Sequence, residues 1–117
     1  MSVKKFTLFL VNLCALLPGS PASASTTGGY GQIYELYGTA NGAVLFSVTG
    51  TGRSGIPSCG AGLPNRWALD ASNVAAQAQV AVLLSAWAAH KKVWVTGTGS
   101  CTIWGDTETV VYFSVQD

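Results

Sequence analysis

The stretch that decides the fold is KVWVTGTGSCTIWGDTE, residues 92–108. It predicts a short apolar strand followed by a glycine-rich bend. Cys101 comes after the bend, and Trp104 stands directly before the turn signal Gly105-Asp106. The last strand is expected to begin just beyond that turn. The rest of the chain is interpreted as what this stretch packs on or is bonded to.

The start of the chain indicates a secretory leader. A basic pair of lysines precedes an apolar run over residues 6–17, and the small residues Ala-Ser-Ala at 22–24 have the pattern of a cleavage site. The run is too short to span a bilayer. We therefore expect a signal peptide over residues 1–24 and cleavage after Ala24. The product would be one small domain, residues 25–117, secreted or located in the periplasm.

Cysteine count and charge limit the classes of function. Cys14 lies in the leader, so Cys59 and Cys101 remain as a pair in an oxidising compartment, and we expect a disulfide between them. Without the two leader lysines, four basic residues remain against five acidic ones, a formal charge of −1. The sequence contains no basic stripe for nucleic acid or anionic lipid. So few charges predict apolar surface patches, which indicate a partner or self-association.

Hydrophobic periodicity predicts five strands. They cover residues 30–38, 44–49, 66–70, 93–96 and 109–115. Asn41-Gly42 predicts a type I′ hairpin turn between the first two strands. Before them, residues 25–29 are expected to form a loose tail. The long loop 50–64 would be held down by Cys59.

One helix is predicted between the third and fourth strands, which makes the element order βββαββ. Ser72 is the expected N-cap, and residues 90–92 are expected to close the helix with positive charge. Leu83 and Leu84 belong to an apolar stripe that should lie against the sheet, whereas Gln79 falls outside that stripe. The other members of the stripe are Ala76, Val80 and Trp87.

Candidates for catalysis and metal binding are few. His90 is the one histidine, so a histidine pair for zinc is not available, and its place at the helix end favours a solvated cap. Asp106 and Glu108 could work as an acid and base pair, but a polar turn followed by an edge-strand charge explains them better. The glycines of 97–99 lack the lysine and helix start of a phosphate loop. We expect no enzyme, no cofactor and no metal.

Trp104 is the candidate that bears on binding. An indole before a Gly-Asp turn could stack on a sugar, with Asp106, Thr107 and Glu108 offering hydroxyl and carboxylate groups to the ligand. The alternative is a tryptophan that anchors the loop or the core.

The other aromatic residues have competing interpretations. Trp67 and Trp87 are expected in the core, and Trp94 could be exposed or lie at an oligomer interface. Three tyrosines could make a binding face on the first strand, although strand propensity explains them equally well. They are Tyr30, Tyr34 and Tyr37.

Three strands, one helix and two strands is the element order of the OB-fold, a small five-stranded Greek-key barrel. An exported chain of this kind with one disulfide resembles the B subunits of bacterial AB-type toxins, of the cholera and subtilase cytotoxin kinds. The resemblance is carried by Lys92-Val93, then Cys101, Trp104 and the Gly105-Asp106 turn. It implies an OB-like barrel stapled by Cys59–Cys101, with Trp104 as the sugar platform. Residues 90–117 are also similar to a group of small exported bacterial proteins of unassigned role.

The expected function is an exported, non-enzymatic binding module, glycan-binding and toxin-B-like, which could form homo-oligomers. The alternative is a periplasmic inhibitor or immunity-type protein that blocks an enzyme through the loop 50–64. A structural envelope protein is the third interpretation. The expected partner is a glycan or another envelope or secreted protein, with no nucleic acid and no transmembrane segment.

Overall fold

A computed structural model describes residues 24–50 and 52–117 of the chain. The predicted signal peptide and Cys14 lie outside the described residues, except for Ala24, so the leader and its cleavage stay predictions. In the part of the chain that is described, no helix is long and apolar enough to cross a membrane.

Five strands and one helix form in the predicted order, so βββαββ is confirmed. The elements are β1 (Gly31–Gly38), β2 (Ala43–Val48), β3 (Arg66–Asp70), α1 (Val74–Ala88), β4 (Lys92–Gly97) and β5 (Glu108–Gln116), with a 3₁₀ turn at Ser58–Gly60 inside the long loop.

The five strands close on themselves in the order β1-β2-β3-β5-β4. Neighbouring strands are antiparallel except β3 and β5, which run parallel and meet at only two residue pairs, Trp67 with Glu108 and Ala68 with Thr109. On the other side of the ring, Gly31 pairs with Val93. Closure gives every strand two neighbours, which removes the long open edges at which sheets aggregate.

The core fills the inside of this ring and the space under α1. It contains Trp67 and Phe46, both fully buried, so the predicted core position of Trp67 is confirmed. Phe113 packs on Phe46 edge to face, with ring centroids 6.4 Å apart. The remaining core side chains are Ile33, Val48, Leu69, Leu83, Ala86, Val93, Val95 and Val110.

The predicted hairpin of β1 and β2 is confirmed, but its turn is not type I′. That turn needs positive φ at two successive residues, and only Gly42 has it, at 89°. The loop is four residues long, and the Thr39 hydroxyl donates to the Ala43 carbonyl at 2.7 Å. Ala43 N–H donates to the Asn41 side chain at 3.3 Å. These side-chain bonds replace the tighter turn that the Asn-Gly pair predicts.

The buried face of α1 differs from the predicted stripe. Leu83 and Ala86 are buried, whereas Leu84 is 46% exposed and Trp87 is 40% exposed. Gln79 lies on the inner side, where its Nε2 donates to the Val111 carbonyl at 2.8 Å. The helix is apolar around most of its circumference, so spacing alone could not select the face that meets the sheet.

Both ends of α1 also differ from prediction. The N-cap is Asn73, whose side chain accepts from Ala75 N–H at 2.9 Å, because Ser72 instead bonds Asp70. At the other end, His90 has a left-handed φ of 54°, and the Lys91 N–H donates to the Ala86 carbonyl at 2.8 Å. This is a Schellman cap with histidine in the usual glycine position. Lys92 already belongs to β4.

The prediction of a loose tail over residues 25–29 is wrong for residues 25–27. Residues 25–27 run alongside β4: Gly97 N–H donates to the Ser25 carbonyl at 2.8 Å, and Thr27 N–H donates to the Val95 carbonyl at 3.0 Å. The Trp94 indole N–H donates to the Thr27 carbonyl at 2.6 Å, which leaves this tryptophan partly buried. Backbone groups of β4 need partners beyond the end of β1, and the tail supplies them.

Two neighbouring leucines test the corrected helix face. Leu83→Ala removes a fully buried side chain and should lower the free energy of unfolding by about 2–5 kcal/mol. Leu84→Ala removes a half-exposed one and should cost about 1 kcal/mol or less. Urea titration followed by tryptophan fluorescence measures both. Equal losses, or a larger loss for Leu84→Ala, would contradict the orientation of α1.

Candidate functional site

The predicted disulfide is confirmed and connects two loops. Cys59 lies in the 3₁₀ turn and Cys101 follows the bend after β4, with their Cα atoms 6.3 Å apart. Gly99 has a φ of 85°, which permits the bend that brings Cys101 to its partner. The loop 50–64 is therefore tied to the stretch that carries the predicted ligand residues.

The four predicted ligand residues do not form one surface. Trp104 is partly buried, and its carbonyl accepts from Thr107 N–H at 3.0 Å across a tight turn. Thr107 and Glu108 are fully buried. Only Asp106 keeps an exposed side chain. A sugar stacked on Trp104 would therefore not reach the Thr107 hydroxyl or the Glu108 carboxylate.

Glu108 turns into the ring and is enclosed by hydrogen-bond donors. One carboxylate oxygen, Oε2, accepts from Gly99 N–H at 2.9 Å and from Ser25 N–H at 3.4 Å. The other, Oε1, accepts from Arg53 at 2.5 Å and from the Ser25 hydroxyl. Four donors saturate a carboxylate, so this group has little left to offer a substrate.

Arg53 is the residue that sequence reasoning missed. Its side chain is 5% exposed, although it comes from a glycine-rich loop. Besides Glu108, it donates to the Pro64 carbonyl at 2.6 Å and the Ser25 hydroxyl at 3.1 Å, and its guanidinium carbon lies 3.7 Å from the Trp67 ring centroid. Burial lowers the pKa of Arg53, and the hydrogen bond and charge of Glu108 oppose that shift. We call Ser25, Arg53, Trp67 and Glu108 the buried cluster.

Gly97 makes room for the buried cluster. A Cβ atom at this position would collide with the Glu108 carboxylate and with the Trp67 ring. The glycines of 97–99 thus serve a close approach and a turn, which agrees with their predicted structural role.

A bulge in β1 aims several polar and aromatic side chains outward. Pairing with β2 shifts between Ile33 and Glu35, so Tyr34 is an extra residue on this strand. Without the shift, Glu35 and Tyr37 would face the core with Ile33. With it, Leu36 packs on the core and the two tyrosines are exposed at 48% and 44%. Bulges commonly re-aim side chains in this manner.

These outward side chains line a groove of about 240 Å³ beside the end of the long loop. We call it the tyrosine groove. It is formed by Tyr34, Glu35, Tyr37, Ser47, Leu63, Pro64, Asn65 and Arg66. It combines two aromatic rings with a carboxylate, an amide and a guanidinium.

Hydrogen bonds hold the polar side chains of the tyrosine groove. Glu35 accepts from the Ser47 hydroxyl at 3.0 Å. Arg66 donates to Thr107 at 2.9 Å and pairs with Asp106 at 2.5 Å, which connects the groove to the predicted ligand stretch. The Thr107 hydroxyl, and after it Arg66, lowers the pKa of Asp106. Of the four predicted ligand residues, Asp106 is thus the one that reaches a surface site.

A second, larger cleft of about 430 Å³ lies between α1 and β5. Asp70, Asn73 and Gln79 give it polar groups, but its lining contains no aromatic ring. Across residues 24–50 and 52–117, no three His, Cys, Asp or Glu side chains lie close enough together to hold a metal ion.

Comparison with known proteins gives no relative for this chain, because no family model, curated protein or solved structure matches it.

Two carboxylates test how much the buried cluster contributes. Glu108→Gln leaves Arg53 buried without its counter-charge, so the free energy of unfolding should fall by about 3–5 kcal/mol. Asp106→Asn makes the same chemical change in an ion pair that is open to water, and should cost about 1 kcal/mol or less. Chemical denaturation of both variants provides the measurement. Similar small losses would show that the cluster is not essential to the fold.

Proposed function

We propose that this chain is an exported, non-enzymatic binding module that recognises a glycan in the tyrosine groove. The observation that carries the proposal is the pair of exposed tyrosines, Tyr34 and Tyr37, beside fixed polar side chains. Sugar recognition needs an apolar wall for the C–H faces of the ring and a few oriented donors and acceptors for its hydroxyls. The groove offers both.

The polar groups suit an uncharged sugar. Arg66 is neutralised by Asp106, so it presents no free positive charge to the ligand. Glu35 accepts a hydrogen bond from the neutral Ser47 hydroxyl and keeps its negative charge, which disfavours an anion in the groove. The Asn65 amide donates to the Tyr34 hydroxyl at 3.4 Å and has further donor and acceptor capacity. A neutral hexose with several hydroxyls fits this arrangement better than an anionic ligand.

The resemblance to toxin B subunits supports the proposal at the level of architecture. Five strands that close on themselves, with one helix between β3 and β4 and one disulfide, agree with the OB-like expectation. The binding residues we propose differ from those that the resemblance implies. The tyrosine groove takes the place of Trp104, because Thr107 and Glu108 are enclosed.

A glycan array, followed by titration of each hit, tests the proposal. Tyr34→Ala should weaken binding about tenfold, since a lost aromatic contact contributes about 1.5 kcal/mol. Its melting temperature should change little, because the ring is half exposed. Tyr112→Ala is the matched control, because Tyr112 is equally exposed, at 49%, and lies outside the groove. An array without hits, or equal effects of the two substitutions, would refute glycan binding at the groove.

A protein partner is the second candidate, and the apolar face of α1 favours it. Val82 adjoins Tyr112 and Phe113 in a shallow apolar pocket on one flank of the helix. On the other flank, since residues two positions apart do not face the same side, Leu84 and Trp87 form an exposed apolar patch. Such a patch fits another copy of the chain, as in a toxin-like ring, or a different protein. For the inhibitor hypothesis, two points of the long loop are fixed: Arg53 is bonded to Glu108, and Cys59 is bonded to Cys101.

Solution mass separates these partners. Light scattering of the purified domain should give a multiple of the chain mass if α1 is a contact between copies, because burial of its apolar face drives association. Leu84→Glu should then return the mass to that of one chain. A single-chain mass for the unchanged protein would leave a different protein as the only candidate for this face.

A further inference from the structure

We propose that cleavage after Ala24 turns the Ser25 nitrogen into an α-ammonium group that pairs with buried Glu108, so that removal of the leader completes the buried cluster. The inference concerns a site that the glycan proposal does not use, and either can fail without the other. It is built on the position of one backbone nitrogen.

That nitrogen already points at the carboxylate. Ser25 N–H donates to Glu108 Oε2 at 3.4 Å, across 83 positions of the sequence. Ser25 is fully buried, whereas Ala24 before it is exposed. The boundary between buried and exposed chain therefore coincides with the predicted cleavage bond. In chemical terms, water hydrolyses the Ala24–Ser25 peptide bond, the new carboxylate departs with Ala24, and the amine stays on Ser25.

The position of the nitrogen does not depend on the residues before it. Gly97 N–H donates to the Ser25 carbonyl at 2.8 Å, and Thr27 N–H donates to the Val95 carbonyl at 3.0 Å. Between them, Thr26 exchanges two backbone bonds with Ser54, at 3.3 and 3.2 Å. Since these contacts lie after the cleavage bond, the new terminus keeps its place and little ordering entropy opposes the ion pair.

The bond from Ser25 N to Glu108 can become stronger without adding a fifth donor to the carboxylate. The Ser25 N–H contact is the longest of its hydrogen bonds, whereas Arg53 approaches to 2.5 Å and Gly99 N–H to 2.9 Å. An amide fixed between two residues is a neutral donor with one hydrogen. An ammonium carries a full charge and three hydrogens, and charge-assisted bonds are shorter and about twice as strong.

The second cation of the buried cluster does not block this pairing. Arg53 binds Oε1 of the carboxylate, and Ser25 N faces Oε2, so the two positive groups would take different oxygens. Among the described residues, Arg53 and Glu108 are the charged groups that contact Ser25. The α-ammonium group and Arg53 would thus share one carboxylate, Glu108, which is already fixed in place.

The experiment compares two forms of the same domain. One begins at Ser25, and the other keeps Ala24 and a short preceding segment. The form with the free amine should have an unfolding equilibrium constant about tenfold lower, as expected for a charged hydrogen bond in a buried site. Selective acetylation of the Ser25 amine, which removes the charge but adds no residue, should abolish that difference.

The background Glu108→Gln supplies the control, because without the carboxylate the two forms should unfold alike. If that variant does not fold, acetylation alone decides. Equal stability of the free-amine, extended and acetylated forms would overturn the proposal. So would a mature N-terminus other than Ser25 when the exported protein is sequenced from its natural host or from an export-competent expression strain.

Discussion

The structure depends on the ion pair between Arg53 and Glu108. Glu108 opens β5 at the parallel junction with β3, where only two residue pairs join the strands. Arg53 bonds that carboxylate and also the carbonyls of Pro64 and Arg66, at 2.6 and 3.4 Å, on the approach to β3. One guanidinium thus connects two strands that share only two pairs of residues. Ser25 brings the first described residues to the same point.

A buried ion pair of this kind determines the alignment of the strands in the ring more than it increases the free energy of unfolding. Removing two charges from water is costly, and an apolar replacement of similar shape is often as stable. The pair acts instead on register, because a slip of β5 by one residue would turn Glu108 outward and leave Arg53 alone in the interior. Gly97 and the cation–π contact with Trp67 fit only the correct alignment.

Local sequence patterns predicted the elements well, and long-range contacts were the part they could not predict. The bounds of β3 follow from alternation in five residues, and the two cysteines outside the predicted leader leave one pairing. Nothing local marks Arg53 as the partner of Glu108, since the two are 55 positions apart. The sole indication was an arginine among glycines, in a loop that a disulfide should hold.

The candidate site also depends on contacts between strands that local sequence patterns do not predict. Alternation along β1 places Tyr34 and Tyr37 on opposite faces, and only the pairing with β2 shows that a bulge puts both outside. The buried face of α1 could not be predicted either, because the few polar residues of this mostly apolar helix, Gln77, Gln79 and Ser85, do not form one polar side. Patterns of hydrophobicity select a face only where the opposite face is polar.

The closure of the ring also sets the order in which the chain can fold. Residues 25–27 bond to β4, and β3 finds its second neighbour only in β5, the last strand. Contacts between distant parts of a sequence are slow to form, since the loop entropy is lost before the contact is gained. The β1–β2 hairpin can form early, but the ring cannot close until the C-terminal strand is available. Until β5 has been synthesised, the apolar interior that Trp67 and Phe46 later fill stays exposed to solvent and to chaperones.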